Sequence, residues 1–305
     1  LTSMLNRRIF RKVEFYSTAV VQSILSSRQQ SPRTPFNAVH LISAATIVST
    51  FYGTSRSLCA EKDTIDAIVK PQIYQYKICP FCSRVKVYLD YLQIEYDTIE
   101  VNPLDKKEIK FSTTKKVPIA SLDGQIIEDS NNIIDFISST LLKSSTRTVV
   151  PSKFLPADTA HWQEWSEKKL AVMLYPNITR SFPESWECFE YSNHVSTWNY
   201  PQRMSVRLAG PIAMFFANGK IKKKYGIVDE RKELQEVVNV WCDALKGQQF
   251  LHGNDISLPD LLVFGVLKSI EGLTTFNVLM KENSVLREWY ERVSKQTISM
   301  ATVMK

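Results

Sequence analysis

Two cysteines three residues apart, in Cys79-Pro80-Phe81-Cys82, stand between a β-forming run at 72–76 and a stretch where Val85, Leu89 and Leu92 recur at helical spacing. A Cys-Pro turn after a strand and before a helix puts the first cysteine at the helix start. There, free N–H groups and the helix dipole favour a thiolate. Pro80 suits the first helical turn, where its missing N–H costs nothing. The second cysteine, one turn on, can resolve a mixed disulfide formed on the first. A buried, inert pair would require neither the turn nor the proline.

The following elements extend this pattern. Residues 94–101 read as a second strand and 102–111 as a short helix opened by Asn102-Pro103. A third strand at 115–122, an Asp123-Gly124 hairpin turn and a partner strand at 125–128 come next. Asp129-Ser130 then precede a helix with Ile133, Ile134 and Ile137 on one face. The order β-α-β-α-β-β-α is that of a thioredoxin-like α/β domain, with the dithiol at the C-terminal end of its first strand.

Beyond a Ser/Thr-rich linker, strand signals nearly vanish. Helices are expected at 162–174, at 230–246 with Leu234, Val237, Val238, Trp241 and Leu245 on one stripe, and at 285–293. Ser257-Leu258-Pro259-Asp260 is a capping arrangement ahead of an apolar run at 261–267, which implies a helix buried on all sides. The aromatic-rich stretch 181–218 has no clear period and reads only as packing around a pocket. The expected division is a targeting or anchor segment at 1–62, a thioredoxin/glutaredoxin-like domain at 63–142, a linker at 143–157 and an all-α domain at 158–305.

Three further features point to the ligand of the dithiol. A proline in the position of Val117-Pro118 is usually cis in thioredoxin-like domains, turning the preceding backbone outward as a strand edge for a peptide-like molecule. Asp129-Ser130 offer N–H groups and a hydroxyl to a carboxylate, and an acid to an ammonium. Capping alone would also explain them. Tyr76, three residues before Cys79, is placed to send its hydroxyl towards the thiolate or simply to pack. In this order, alongside the dithiol, they point to glutathione.

Charge excludes one function class and suggests an address. The net charge is +7, yet residues 1–60 hold seven Lys/Arg and one acid, leaving 31 of 38 basic and 30 of 31 acidic groups in the rest. The body is close to neutral, so nucleic-acid binding has no electrostatic support. The Arg-rich, nearly acid-free N-terminus has the composition of a mitochondrial presequence. An uncharged run of 15 residues at 38–52 is shorter than the ~20 needed to span a bilayer, and reads as a short anchor or sorting signal. Five scattered cysteines suit a reducing compartment rather than a disulfide framework, and no second pair of ligands accompanies Cys79 and Cys82 to hold a metal.

Longer runs carry a resemblance. The segments 74–85, Glu100-Val101-Asn102-Pro103, Glu108-Ile109-Lys110-Phe111-Ser112, Lys116-Val117-Pro118-Ile119, Asp129-Ser130, Tyr175-Pro176-Asn177 and the apolar run at 261–267 resemble the membrane-associated prostaglandin E synthases of the second type. The likeness covers roughly residues 70–295. It implies an all-α glutathione-transferase-like C-terminal domain behind the thioredoxin-like one, a homodimer, and Golgi or other membrane association through the N-terminal segment, with a processed soluble form. It implies isomerisation of a prostaglandin endoperoxide, prostaglandin H2, to prostaglandin E2. By resemblance, Tyr76, Cys79, Phe81 and Cys82 are the catalytic motif, while Val117, Pro118, Asp129 and Ser130 are the glutathione contacts. The family is also associated with haem held beside glutathione, for which Lys220 and Lys224 are the counterparts of its assisting basic residues. The resemblance puts a His and a Ser where this chain has Val172 and Tyr175. Two rival readings stand beside the isomerase: a glutaredoxin-like thiol-disulfide oxidoreductase or glutathione transferase, and a non-catalytic glutathione/haem-binding protein.

Overall fold

The computed structural model describes residues 70–143 and 154–302. The targeting or anchor segment, with its uncharged run, and most of the linker lie outside the described residues. Strand β1, Gln72–Gln75, is stopped by the turn that leads into helix α1, Pro80–Tyr91. After β2 (Asp97–Glu100) come β3 (Ile119–Leu122), β4 (Gln125–Glu128) and helix α2 (Ser130–Lys143). The sheet order is β2-β1-β3-β4. β1 runs parallel to β2, with Tyr74 opposite Ile99, and antiparallel to β3, with Ile73 opposite Ala120. The Asp123-Gly124 turn, both residues at positive φ, joins β3 to β4. The parallel pair, joined through α1, brings the C-terminal ends of β1 and β2 to one edge. Cys79 emerges there.

Three segments are shorter than the sequence pattern suggests, for local reasons. Residues 102–111 form a loop with a single 3-10 turn at Lys107–Ile109. The Asn102 side chain accepts from the Leu104 N–H at 2.9 Å, the Glu108 carboxylate accepts from the Asn102 N–H at 3.0 Å, and Lys106 takes φ +50°. These contacts satisfy the backbone without a helix. β2 starts only at Asp97, because Ile94 still donates to the Leu89 carbonyl to close α1. β3 starts at Ile119, because Lys115 is left-handed (φ +52°) and the Val117-Pro118 peptide is cis.

The second domain is helical throughout the described residues. Thr159–Trp165 (α3) passes through a π-helical segment, Ser166–Ala171, into Val172–Ile178 (α4). The stretch left unassigned by its sequence becomes α5 (Phe182–Glu187), a 3-10 segment and α6 (Tyr200–Tyr225). Then come α7 (Glu230–Leu245), α8 (Leu258–Lys268), α9 (Thr274–Glu282) and α10 (Ser284–Thr302). As the apolar run requires, each residue of α8 from Leu258 to Leu267 is buried. Its start is fixed by Asp260, whose carboxylate accepts from the Ser257 and Leu251 N–H groups and from Trp289 Nε1 at 3.0–3.1 Å. Trp241 meets Trp162 and Trp289 edge-on, with ring centres 5.1 Å apart in each pair. Among the described residues no helix is long and apolar enough to cross a membrane.

Candidate active site

Cys79 is the N-terminal cap of α1, extended at φ −78° and ψ 119°, with Pro80 opening the helix. Its N–H donates to the Tyr76 carbonyl and its carbonyl accepts from Ser83, both at 3.0 Å, which fixes the turn. The two thiols differ sharply. Cys79 is partly exposed and Cys82 fully buried. The Cys79 thiol is held below its ordinary value, first by a hydrogen bond from Cys82, then by the Cys82 and Phe81 N–H groups and the charge of Lys86, against the opposing effect of burial. Burial, and then donation to Cys79, push Cys82 well up. The outer sulfur is thus the one more readily ionised, and the inner one is its hydrogen-bond donor.

Cys79 opens onto a cavity of about 340 Å³ between the two domains. Tyr76, Ile78, Cys79, Pro80, Phe81 and Pro103 line it from the first domain. Ala171, Leu174, Tyr175, Ile178, Phe189, Tyr191, Met214 and Ile270 close it from the second. The wall is almost wholly apolar. Burial, and after it the charges of Cys79 and Cys82, push the Tyr76 hydroxyl up to about 12, so it stays protonated as a donor. The Tyr175 hydroxyl donates to Met214 Sδ, another lining residue, at 2.7 Å.

On the sheet side, the Val117-Pro118 peptide is cis, as the sequence suggests. The Val117 N–H and C=O have no backbone partner among the described residues, while the next carbonyl, of Pro118, accepts from the Asp129 N–H at 3.3 Å. That bond ties the two expected glutathione-contact segments together. Asp129 sits exposed at φ +79°, and one carboxylate oxygen caps α2 by accepting from the Asn131 N–H at 2.8 Å. Ser130 is buried behind it.

The structure thus brings Tyr76, Cys79 and Phe81 into one wall, with Cys82 directly behind. Lys220 and Lys224 are elsewhere, exposed on the last turns of α6 and outside the cavity lining, with the Lys224 ammonium over its own neighbour Tyr225. Among the described residues the wall supplies no cation for propionates and no imidazole, and its groups able to ligate iron are the Cys79 sulfur, the Met214 thioether and the phenols of Tyr76, Tyr175 and Tyr191. The sequence reading missed Phe189, Tyr191 and Met214, whose only signal was the aromatic richness of an aperiodic stretch.

Two family models match this chain: the glutathione S-transferase N-terminal domain over residues 73–141 and the glutathione S-transferase C-terminal domain over 206–297. Together they span more than half of the chain. The protein belongs to the glutathione-transferase-like family. Curated relatives of this glutathione-transferase-like protein are named prostaglandin E synthase 2. The one from Danio rerio is 29% identical over 283 residues, 78% of this chain and 75% of the relative. The one from Mus musculus is 28% identical over 266 residues, 73% and 69% of the two chains. Among solved structures, a glutathione S-transferase from Sinorhizobium meliloti superposes with a TM-score of 0.51 at 14% identity, over 76% of this chain and 92% of its own. A beta-etherase from Sphingobium gives 0.50 at 16%, over 76% and 98%. These two show the fold: a thioredoxin-like domain followed by the helical domain of glutathione transferases.

Proposed function

We propose that this chain is a glutathione-dependent isomerase of a prostaglandin endoperoxide, converting prostaglandin H2 to prostaglandin E2. The observation that carries the reading is the meeting of a depressed thiol with an apolar cavity, in a chain whose curated relatives are named prostaglandin E synthase 2. A fatty-acid-derived endoperoxide is apolar over most of its length and suits such a wall. Bound glutathione supplies a second thiol at this site. The Val117 backbone, unpaired among the described residues, would hold its cysteinyl unit as an added strand edge, and the Ser130 end of α2 its γ-glutamyl carboxylate.

The reaction is an internal redox change with no net oxidant. The C–H bond on one peroxide-bearing carbon loses its proton to a base, and that electron pair becomes the C=O bond as the O–O bond breaks. The other oxygen leaves as an alkoxide and takes up a proton. The Cys79 thiolate is placed as the base or as the group that polarises the peroxide. Cys82 keeps it ionised by hydrogen bonding, and the protonated Tyr76 hydroxyl is a donor to the developing alkoxide.

Disulfide exchange is favoured by the same asymmetry of the two sulfurs and forms the second reading. Product analysis on the full chain separates them. The isomerase reading expects ketone formation that falls on Cys79→Ser and largely survives Cys82→Ser. Robust disulfide reduction that requires both thiols, without ketone formation, would replace it with the oxidoreductase.

A further inference from the structure

Arg84 lies two residues past Cys82, is fully buried, and has no part in the reaction above. A guanidinium in such a place needs its charge and its N–H groups met. Its Nη2 donates to Asn131 Oδ1 at 2.9 Å and reaches the Gln163 carbonyl at 3.5 Å, while Nη1 reaches Ser130 Oγ at 3.5 Å. Asn131 Nδ2 in turn donates to the Glu167 carboxylate. Glu167, Asp129 and Asp135 are the acids whose charges act on Arg84, and burial lowers it to about 10, so it stays charged at neutral pH. Its Nε is buried with no partner among the described residues.

A full cation therefore sits beneath the first turn of α2, behind the residues that face the expected γ-glutamyl carboxylate. Through Asn131 it is linked to Glu167, which belongs to the π-helical segment ending at Ala171 in the cavity wall. Helix-terminal N–H groups backed by a desolvated cation favour an anion more than the helix end alone. From this geometry we propose that Arg84 is a positioning residue for the γ-glutamyl carboxylate of glutathione: it pins Ser130 and Asn131 against the helical domain and places a positive charge behind them. The proposal rests on the glutathione reading above. It is specific to one end of the tripeptide, since Val117 serves the cysteinyl unit.

That specificity supplies the test. Binding calorimetry on the full chain compares glutathione with cysteinylglycine, which lacks the γ-glutamyl unit. Arg84→Lys keeps the charge but loses the planar fork, and weakens glutathione by about 3–10-fold. Arg84→Met weakens it by about 10–100-fold, as expected for a lost charge-assisted contact. Cysteinylglycine affinity stays within about twofold in both variants, and turnover shows a raised KM for glutathione with kcat retained at saturation. Asn131→Ala, on the surface side of the network, gives the same pattern if the methionine variant does not fold. Equal weakening of both peptides, or unchanged glutathione binding, overturns the proposal. A wild-type protein that binds neither peptide overturns the glutathione reading itself, and this proposal with it.

Discussion

Helix α8 touches helix α1 backbone to backbone at one point: a Cβ on Gly265 would stand 2.7 Å from the Cα of Arg84 and 3.1 Å from its N. Backbone cannot swing aside as a flexible side chain can, so the absence of a side chain at residue 265 sets how closely the two domains approach. The contact lies on the helix that carries the dithiol. Gly265→Ala is expected to cost about 1–3 kcal/mol by forcing the helices apart. The fall should appear in urea unfolding as a lower midpoint. A midpoint unchanged from wild type would show that the helices re-seat freely.

The Cys79 thiol depends on its neighbour more than on the helix end. Since the hydrogen bond from Cys82 is the largest cause of its depression, Cys82→Ala should move the Cys79 titration upward. Iodoacetamide alkylation followed against pH reads this directly, because the thiolate is the reacting species. In wild type the alkylation midpoint lies below the ordinary thiol value, and in the variant it shifts towards higher pH. A midpoint that stays put would assign the depression to the backbone N–H groups and Lys86 instead.

Glu100, at the end of β2, titrates in the opposite sense. It accepts from the Lys77 N–H at 2.8 Å and from Gln75 Nε2 at 3.1 Å, yet burial outweighs these bonds and pushes its carboxyl up from 4.5 to about 7. A carboxyl whose folded value exceeds its unfolded one holds its proton more tightly in the fold. Its cost to stability is absent below about pH 4.5, grows as pH rises towards 7, and is complete above that. Glu100→Gln should therefore gain about 1–3 kcal/mol relative to wild type at pH 8 and nothing at pH 4. Thermal unfolding of the two proteins across that range measures it, and parallel curves would refute the assignment.

What could be read from the sequence was whatever a few adjacent residues decide. Cys79-Pro80 forces a helix start, Asp123-Gly124 a hairpin, Ser257 with Asp260 a cap, and Val117-Pro118 the cis peptide; the structure has each of them. Helix α6 escaped because its pattern runs against the usual one. Leu208, Ile212, Phe215 and Phe216 are exposed, Gly210 is pressed under the Phe189 ring, and Pro211 lies mid-helix, so no apolar stripe marks a buried face. Which of its residues line the pocket was hidden for the same reason, since Met214 reaches the cavity from that helix. Arg84 gave no signal at all. An arginine in an amphipathic helix reads as a solvated face, and only the packing of a second domain shows that it is buried.

Met214 offers the most direct check that the apolar cavity, rather than the glutathione side, sets what the protein acts upon. It is half-buried on α6, lines the wall opposite the dithiol and is held by the Tyr175 hydroxyl. Because it is flexible and only partly packed, replacing it should alter the cavity without unfolding the chain. Met214→Trp adds bulk to a space of about 340 Å³, and should raise KM for the endoperoxide by about tenfold or more while leaving glutathione affinity within about twofold. Met214→Ala enlarges the same space and should admit longer apolar chains with a smaller loss. Steady-state kinetics with each substrate varied in turn distinguishes the two sides of the site. If Met214→Trp instead raised the KM for glutathione and spared the endoperoxide, the cavity would belong to the thiol ligand and the substrate would have to approach from elsewhere.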